Sequence, residues 1–103
     1  MKNLIVVVLL CTTSLAYAGF DEGFDAYKKG NYAVALKEFK KAAQQGNASA
    51  QFGIGLMYDN GEGVPQSYKQ AVVWYTKAAE QGNASAQYNL GLMYDAGKGV
   101  PQD

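Results

Sequence analysis

The chain has 103 residues, nine lysines against nine acidic residues, and no histidine. Balanced charge without a basic stripe gives no electrostatic footing for a phosphate backbone. The missing imidazole removes the commonest general base and metal ligand. Apolar residues at 49% against 17% charged ones support a packed domain rather than a disordered tail.

Residues 1–18, MKNLIVVVLLCTTSLAYA, open on Lys2 and continue as the apolar run Leu4 to Leu10. Ala16-Tyr17-Ala18 then supplies the small-x-small pattern that a signal peptidase accepts, so 1–18 reads as a secretory signal peptide cleaved after Ala18. The run is far short of the roughly 20 residues that span a bilayer. Lipidation at Cys11 is the alternative, disfavoured by the bulky Leu10 before it. Cys11 is the only cysteine, so the mature chain is expected to be exported, periplasmic or secreted, without a thiol or disulfide.

Phe20, Phe24 and Tyr27 follow at offsets of four and three and predict a helix over Phe20 to Lys29. Asp21, Glu22 and Asp25 stand toward its start and Lys28 and Lys29 at its end, in keeping with the helix dipole. Gly30-Asn31 is the expected stop. A second helix, Tyr32 to Gln45, carries the stripe Tyr32, Ala35, Leu36, Phe39, Ala42 and Ala43, with lysines off the stripe. So short a turn makes the pair an antiparallel hairpin, residues 19–45.

Gly46 to Gln81 forms the second unit, and the chain restarts at Gly82 with GNASAQYNLGLMYDAGKGVPQD. Sixteen of the 22 comparable positions are identical, at a period of 36 residues, which marks stacked helical repeats. Asn47 and Asn83 are natural N-caps for helices over Ala48 to Tyr58 and Ala84 to Tyr94. The same asparagines begin N-glycosylation sequons, but their common phase in the repeat favours capping. Gly55 and Gly91 each cost about 1 kcal/mol inside a helix, which implies close approach of a partner helix.

The segment Asp59 to Gln66 reads as the connecting loop, with Val64 plugging it onto the core and Pro65 blocking premature helix. Ser67 and Gln70 form a capping box for the next helix, whose stripe is Tyr68, Ala71, Val72, Trp74, Tyr75, Ala78 and Ala79. The final unit, 82–103, ends at Asp103, in the N-cap place that Ser67 holds one repeat earlier. The helix it should start is missing, so the chain reads as a fragment or truncated frame, with a covering partner as the alternative.

The run A-x-A-Q-Y-N-L-G-L-M-Y-D-x-G-x-G-V-P-Q-D, followed in the earlier copy by A-V-x-W-Y-x-K-A-A-E-Q-G, resembles the Sel-1-like repeat, a tetratricopeptide-like α/α unit. The signature positions are Gly55, Tyr58, Gly61, Gly63, Pro65, Ala71, Trp74, Ala78 and Ala79, then Gly91, Tyr94, Gly97, Gly99 and Pro101. Residues 19–45 look closer to a plain tetratricopeptide hairpin. The resemblance implies an all-α, right-handed solenoid of helix hairpins serving as a non-catalytic adaptor or scaffold for proteins. In bacteria such proteins are often exported and take part in envelope signalling, polysaccharide systems or host interaction. Ser67 departs from the family's usual Asp yet can still cap, and the cysteines of some exported relatives are absent.

No catalytic, cofactor or metal site is expected. In Asp59 to Gly63 glycines stand where calcium ligands belong, and Gly61-Glu62-Gly63 lacks the third glycine and the strand of a dinucleotide fingerprint. Helical-wheel geometry turns Ala50, Ile54 and Tyr58 toward the second helix of their unit. Phe52, Gly53 and Leu56, with Tyr88, Asn89 and Leu92, are left for the concave groove or the neighbouring unit, and Phe52, Tyr88 and Asn89 are the expected partner contacts. Two other readings stay open: a cell-envelope hydrolase or cell-wall-active protein, and a structural piece that self-associates through its unpaired last helix.

Overall fold

The computed structural model describes residues 19–101. The expected signal peptide and its cleavage after Ala18 lie outside these residues, as does Asp103. Helix α1 covers 19–28 of the described chain. Four helices of equal length follow: α2 (Tyr32–Gln44), α3 (Ala48–Asn60), α4 (Tyr68–Glu80) and α5 (Ala84–Ala96). Consecutive helices pack on each other, α2 on α3, α3 on α4 and α4 on α5, and there is no strand among the described residues. The result is an α/α solenoid.

Local chemistry fixes the ends of each rod. Asn47 and Asn83 are N-caps, their Oδ1 atoms accepting from Ala50 N and Ala86 N at 2.8 Å each. Ser67 Oγ accepts from Gln70 N at 3.2 Å, but Ser67 N donates to Tyr58 O, so the backbone serves the reciprocal arm of the expected capping box. Helices α3 and α5 run two residues beyond Tyr58 and Tyr94, which corrects the assignment of Asp59 and Asn60 to a loop. The stop comes only at Gly61 and Gly97, whose positive φ lets the next amides, of Glu62 and Lys98, reach back to Met57 O and Met93 O.

Two apolar clusters make the core. The first joins Ala26, Ala35, Phe39, Ala42, Ala43, Ala50, Ile54 and Met57, with Tyr27, Val64 and Trp74 packed at its edge. The second joins Ala71, Tyr75, Ala78, Ala86 and Met93, with Phe52, Leu56 and Leu90 against it. The helical-wheel assignment is therefore corrected: Ala50 and Ile54 enter the cluster shared with α1 and α2, and Tyr58 bridges both. Small alanines at the crossings let backbones approach, and the tyrosine and phenylalanine rings fill what remains.

A glutamine clamp ties each unit to the next. Gln51 Nε2 donates to Ala43 O at 3.3 Å, and its copy Gln87 donates to Ala79 O at 3.1 Å. Buried Gln51 also accepts from Gln81 Nε2 at 2.6 Å, so its desolvated amide is matched. These residues lie outside the set chosen from sequence, although their shared phase after Ala-Ala was visible there.

Candidate functional site

Helices α1, α3 and the start of α5, the first helices of successive hairpins, lie side by side and leave a groove of about 220 Å³. Phe20, Phe24 and Tyr27 line it from α1, and Phe52, Gly53 and Leu56 from α3. Phe39 forms its floor, while Ser49, Asn83 and Ser85 provide a polar end. Phe20 stacks on Phe24 at 5.9 Å between centroids and on Phe39 at 6.0 Å, which holds these rings in a connected aromatic wall.

Which residues correspond between units follows from the glycine packing. A Cβ on Gly23 would meet the Phe39 ring at 2.6 Å, and one on Gly55 would meet the Tyr75 ring at 2.5 Å. Phe39 and Tyr75 are one repeat apart, so Gly23 and Gly55 are equivalent, and the loop 29–31 is simply shorter than 61–67. In that register the rows Phe20, Phe52, Tyr88 and Phe24, Leu56, Leu92 run across the first helices. Three of their members are large apolar side chains held in solvent: Tyr88 is 69% exposed, Leu92 49% and Phe24 46%.

The expected partner contacts divide. Tyr88 is exposed on its helix. Phe52 is half-buried, its ring 5.7 Å from that of Tyr75 on the second helix of its own unit, and it lines the groove as well. Asn89 is half-buried, with Nδ2 donating to Tyr75 Oη at 3.4 Å. Tyr75 Oη in turn donates to Asp59 Oδ2 at 3.0 Å. Burial, the first cause, raises the Tyr75 phenol well above its ordinary value; Asp59 raises it further, while Asn89 acts the other way.

The packing expected of the helix glycines holds at Gly55, where only hydrogen leaves room for Tyr75. Among the described residues a Cβ on Gly91 would meet nothing within 4 Å.

The glycine loops dock on the preceding unit. A Cβ on Gly63 would meet Tyr32 Cβ at 2.9 Å, and one on Gly99 would meet Tyr68 O at 2.6 Å. Glu62 accepts from Tyr27 Oη at 2.7 Å and from Asn60 Nδ2 at 3.3 Å. Burial and this carboxylate push the Tyr27 phenol up to about 12. Lys98 holds the same place one repeat later, with Nζ 5.2 Å from the Tyr68 ring centre.

A second opening, about 360 Å³, lies between α3 and α5, bounded by Asp59, Asn89, Leu92, Met93, Ala96 and Lys98. No group of acidic, histidine or cysteine side chains suited to a metal occurs among the described residues, and no described helix is long and apolar enough to cross a membrane.

Residues 14–47, 48–83 and 84–103 match the family model described as Sel1 repeat. DAP3-binding cell death enhancer 1 of Rattus norvegicus is 41% identical over 51 residues, which is 50% of this chain and 10% of that protein. The Mus musculus protein of the same name is 39% identical over 50 residues, again 10% of its length. Among solved structures, c5321, a protective antigen present in uropathogenic Escherichia coli strains and displaying an SLR fold, superposes with a TM-score of 0.79 at 43% identity, over 97% of this chain and 22% of that one. A Sel1 repeat protein from Oxalobacter formigenes gives 0.81 at 36% identity, over 88% and 39%. The chain thus spans about a tenth of the curated relatives and well under half of either solved chain.

Proposed function

This chain belongs to the Sel1 repeat family, whose repeats are generally protein-interaction scaffolds, and from its geometry we propose that it is an exported, non-catalytic adaptor that holds a protein segment on its concave face. The observation that carries the reading is the exposed apolar side chains of the two rows, Phe24, Tyr88 and Leu92, on the first helices that carry the aromatic groove. Large apolar side chains clustered on one concave face, rimmed by polar ones, are the mark of a surface that another chain covers. Export rests on the leader composition of residues 1–18.

The test is site-specific photo-cross-linking in cells with the full-length chain. A photoreactive residue at Tyr88 is expected to capture one discrete envelope protein, and the same residue at Val73, exposed on α4, is expected to capture none. Capture that is equal at both positions, or only of folding factors, overturns the groove assignment. A covalent dimer of the chain itself replaces the adaptor reading with self-association.

A further inference from the structure

The opening between α3 and α5 has a counterpart one unit earlier that a tyrosine ring partly fills. With Gly23 matched to Gly55, Tyr27 of α1 corresponds to Asp59 of α3. Tyr27 packs against the first core cluster, lies 6.4 Å from Phe39 between ring centres, and donates a hydrogen bond from its hydroxyl to Glu62. Moving from α3 to α5 by one repeat, Gly53, Leu56, Met57, Asn60 and Glu62 become Asn89, Leu92, Met93, Ala96 and Lys98. Those five residues and Asp59 bound the open cavity. Where the first inter-unit joint holds a tyrosine ring at the edge of its groove, the second holds a short carboxylate and a larger opening.

We propose that this cavity is a subsite for a tyrosine side chain of the bound protein segment, taken in the manner of Tyr27. The proposal rests on the concave-face adaptor reading and names a residue its partner presents. Leu92, Met93 and Ala96 supply apolar walls of the kind that hold Tyr27. The polar rim suits a phenol better than a bare ring. Asp59 spends one acceptor site on Tyr75 and retains others for a hydroxyl proton, while Lys98, in place of Glu62, offers a donor to the phenol oxygen. The volume, about 360 Å³, falls in the range of small-ligand pockets.

The subsite is tested with N-acetyl-tyrosinamide titrated into the isotope-labelled full chain, read by amide chemical shifts. Saturable shifts centred on Asn89, Leu92 and Lys98 are expected, weakened about threefold or more for N-acetyl-phenylalaninamide, as one net hydrogen bond dictates. A triple variant, Asp59→Tyr, Tyr75→Phe and Lys98→Glu, places the first joint's tyrosine, phenylalanine and glutamate in the second. It is expected to keep its helical fold by circular dichroism and to lose the shifts. Equal response to both amides, shifts elsewhere, or shifts that survive in a folded triple variant overturn the subsite. Failure of the amide to bind while Tyr88 still cross-links a partner removes the subsite and leaves the groove reading intact.

Discussion

Two glycines one repeat apart have opposite surroundings. Gly55 faces the Tyr75 ring, whereas a Cβ on Gly91 would meet nothing within 4 Å among the described residues. Gly55→Ala is expected to destabilise by about 1–3 kcal/mol, because overpacking outweighs the gain in helix propensity. Gly91→Ala is expected to stabilise by up to about 1 kcal/mol, since only propensity acts there. Denaturant melts of the two variants check this, and equal destabilisation would remove the packing account.

Tyr27 gives a pH signature. Its folded-state phenol is pushed up to about 12 from an ordinary 10, so the folded state holds the proton more tightly than the unfolded state. The resulting stability is present below pH 10 and lost as pH rises toward 12. Glu62→Gln should flatten that decline and shift the Tyr27 absorbance change to lower pH, leaving the later change of Tyr75 in place; an unchanged titration curve would count against it. Sequence alone revealed that Gly55 needs a packing reason. It did not reveal the ring, because Tyr75 is brought there by a helix crossing, not by local spacing.

At the level of the helix, caps and stops were legible because their chemistry is local. Asn47, Ser67 and Asn83 cap as their types and places predict. Asn47→Ala is expected to cost about 1 kcal/mol, read as a lower melting midpoint, with Asn47→Asp restoring most of it. Helix length was less legible: Asp59 and Asn60 are poor helix formers beside glycines, yet they stay helical until Gly61 ends the rod. Asp59 is retained on α3 with the Tyr75 hydroxyl as its partner, a contact between helices that no single-helix pattern displays. The correspondence of α1 with α3 was hidden for a similar reason, since the shorter first loop breaks the constant period.

Across the whole molecule, binding and folding separate at some groove residues and merge at others. Tyr88→Glu is expected to abolish partner capture and leave the melting temperature within a degree or two, roughly the effect of an exposed substitution. Phe52→Ala is expected to reduce both, because its ring packs on Tyr75 while lining the groove. Asn89 belongs with Phe52, as its carboxamide bonds the Tyr75 hydroxyl. A Tyr88→Glu chain that captures its partner normally would move the interface off this face. The repeat made the solenoid readable before any coordinates, but the division of labour among Phe52, Tyr88 and Asn89 depends on the stacking of whole units.

The change from Glu62 to Lys98 also bears on how such an array can grow. Were the middle unit duplicated in tandem, the new copy's glutamate would arrive beside Asp59 instead of Tyr27, setting two carboxylates around one cavity. Lysine at that place puts the opposite charge on the rim of the cavity that Asp59 lines. The two joints therefore differ in the charge that each loop presents to the unit before it.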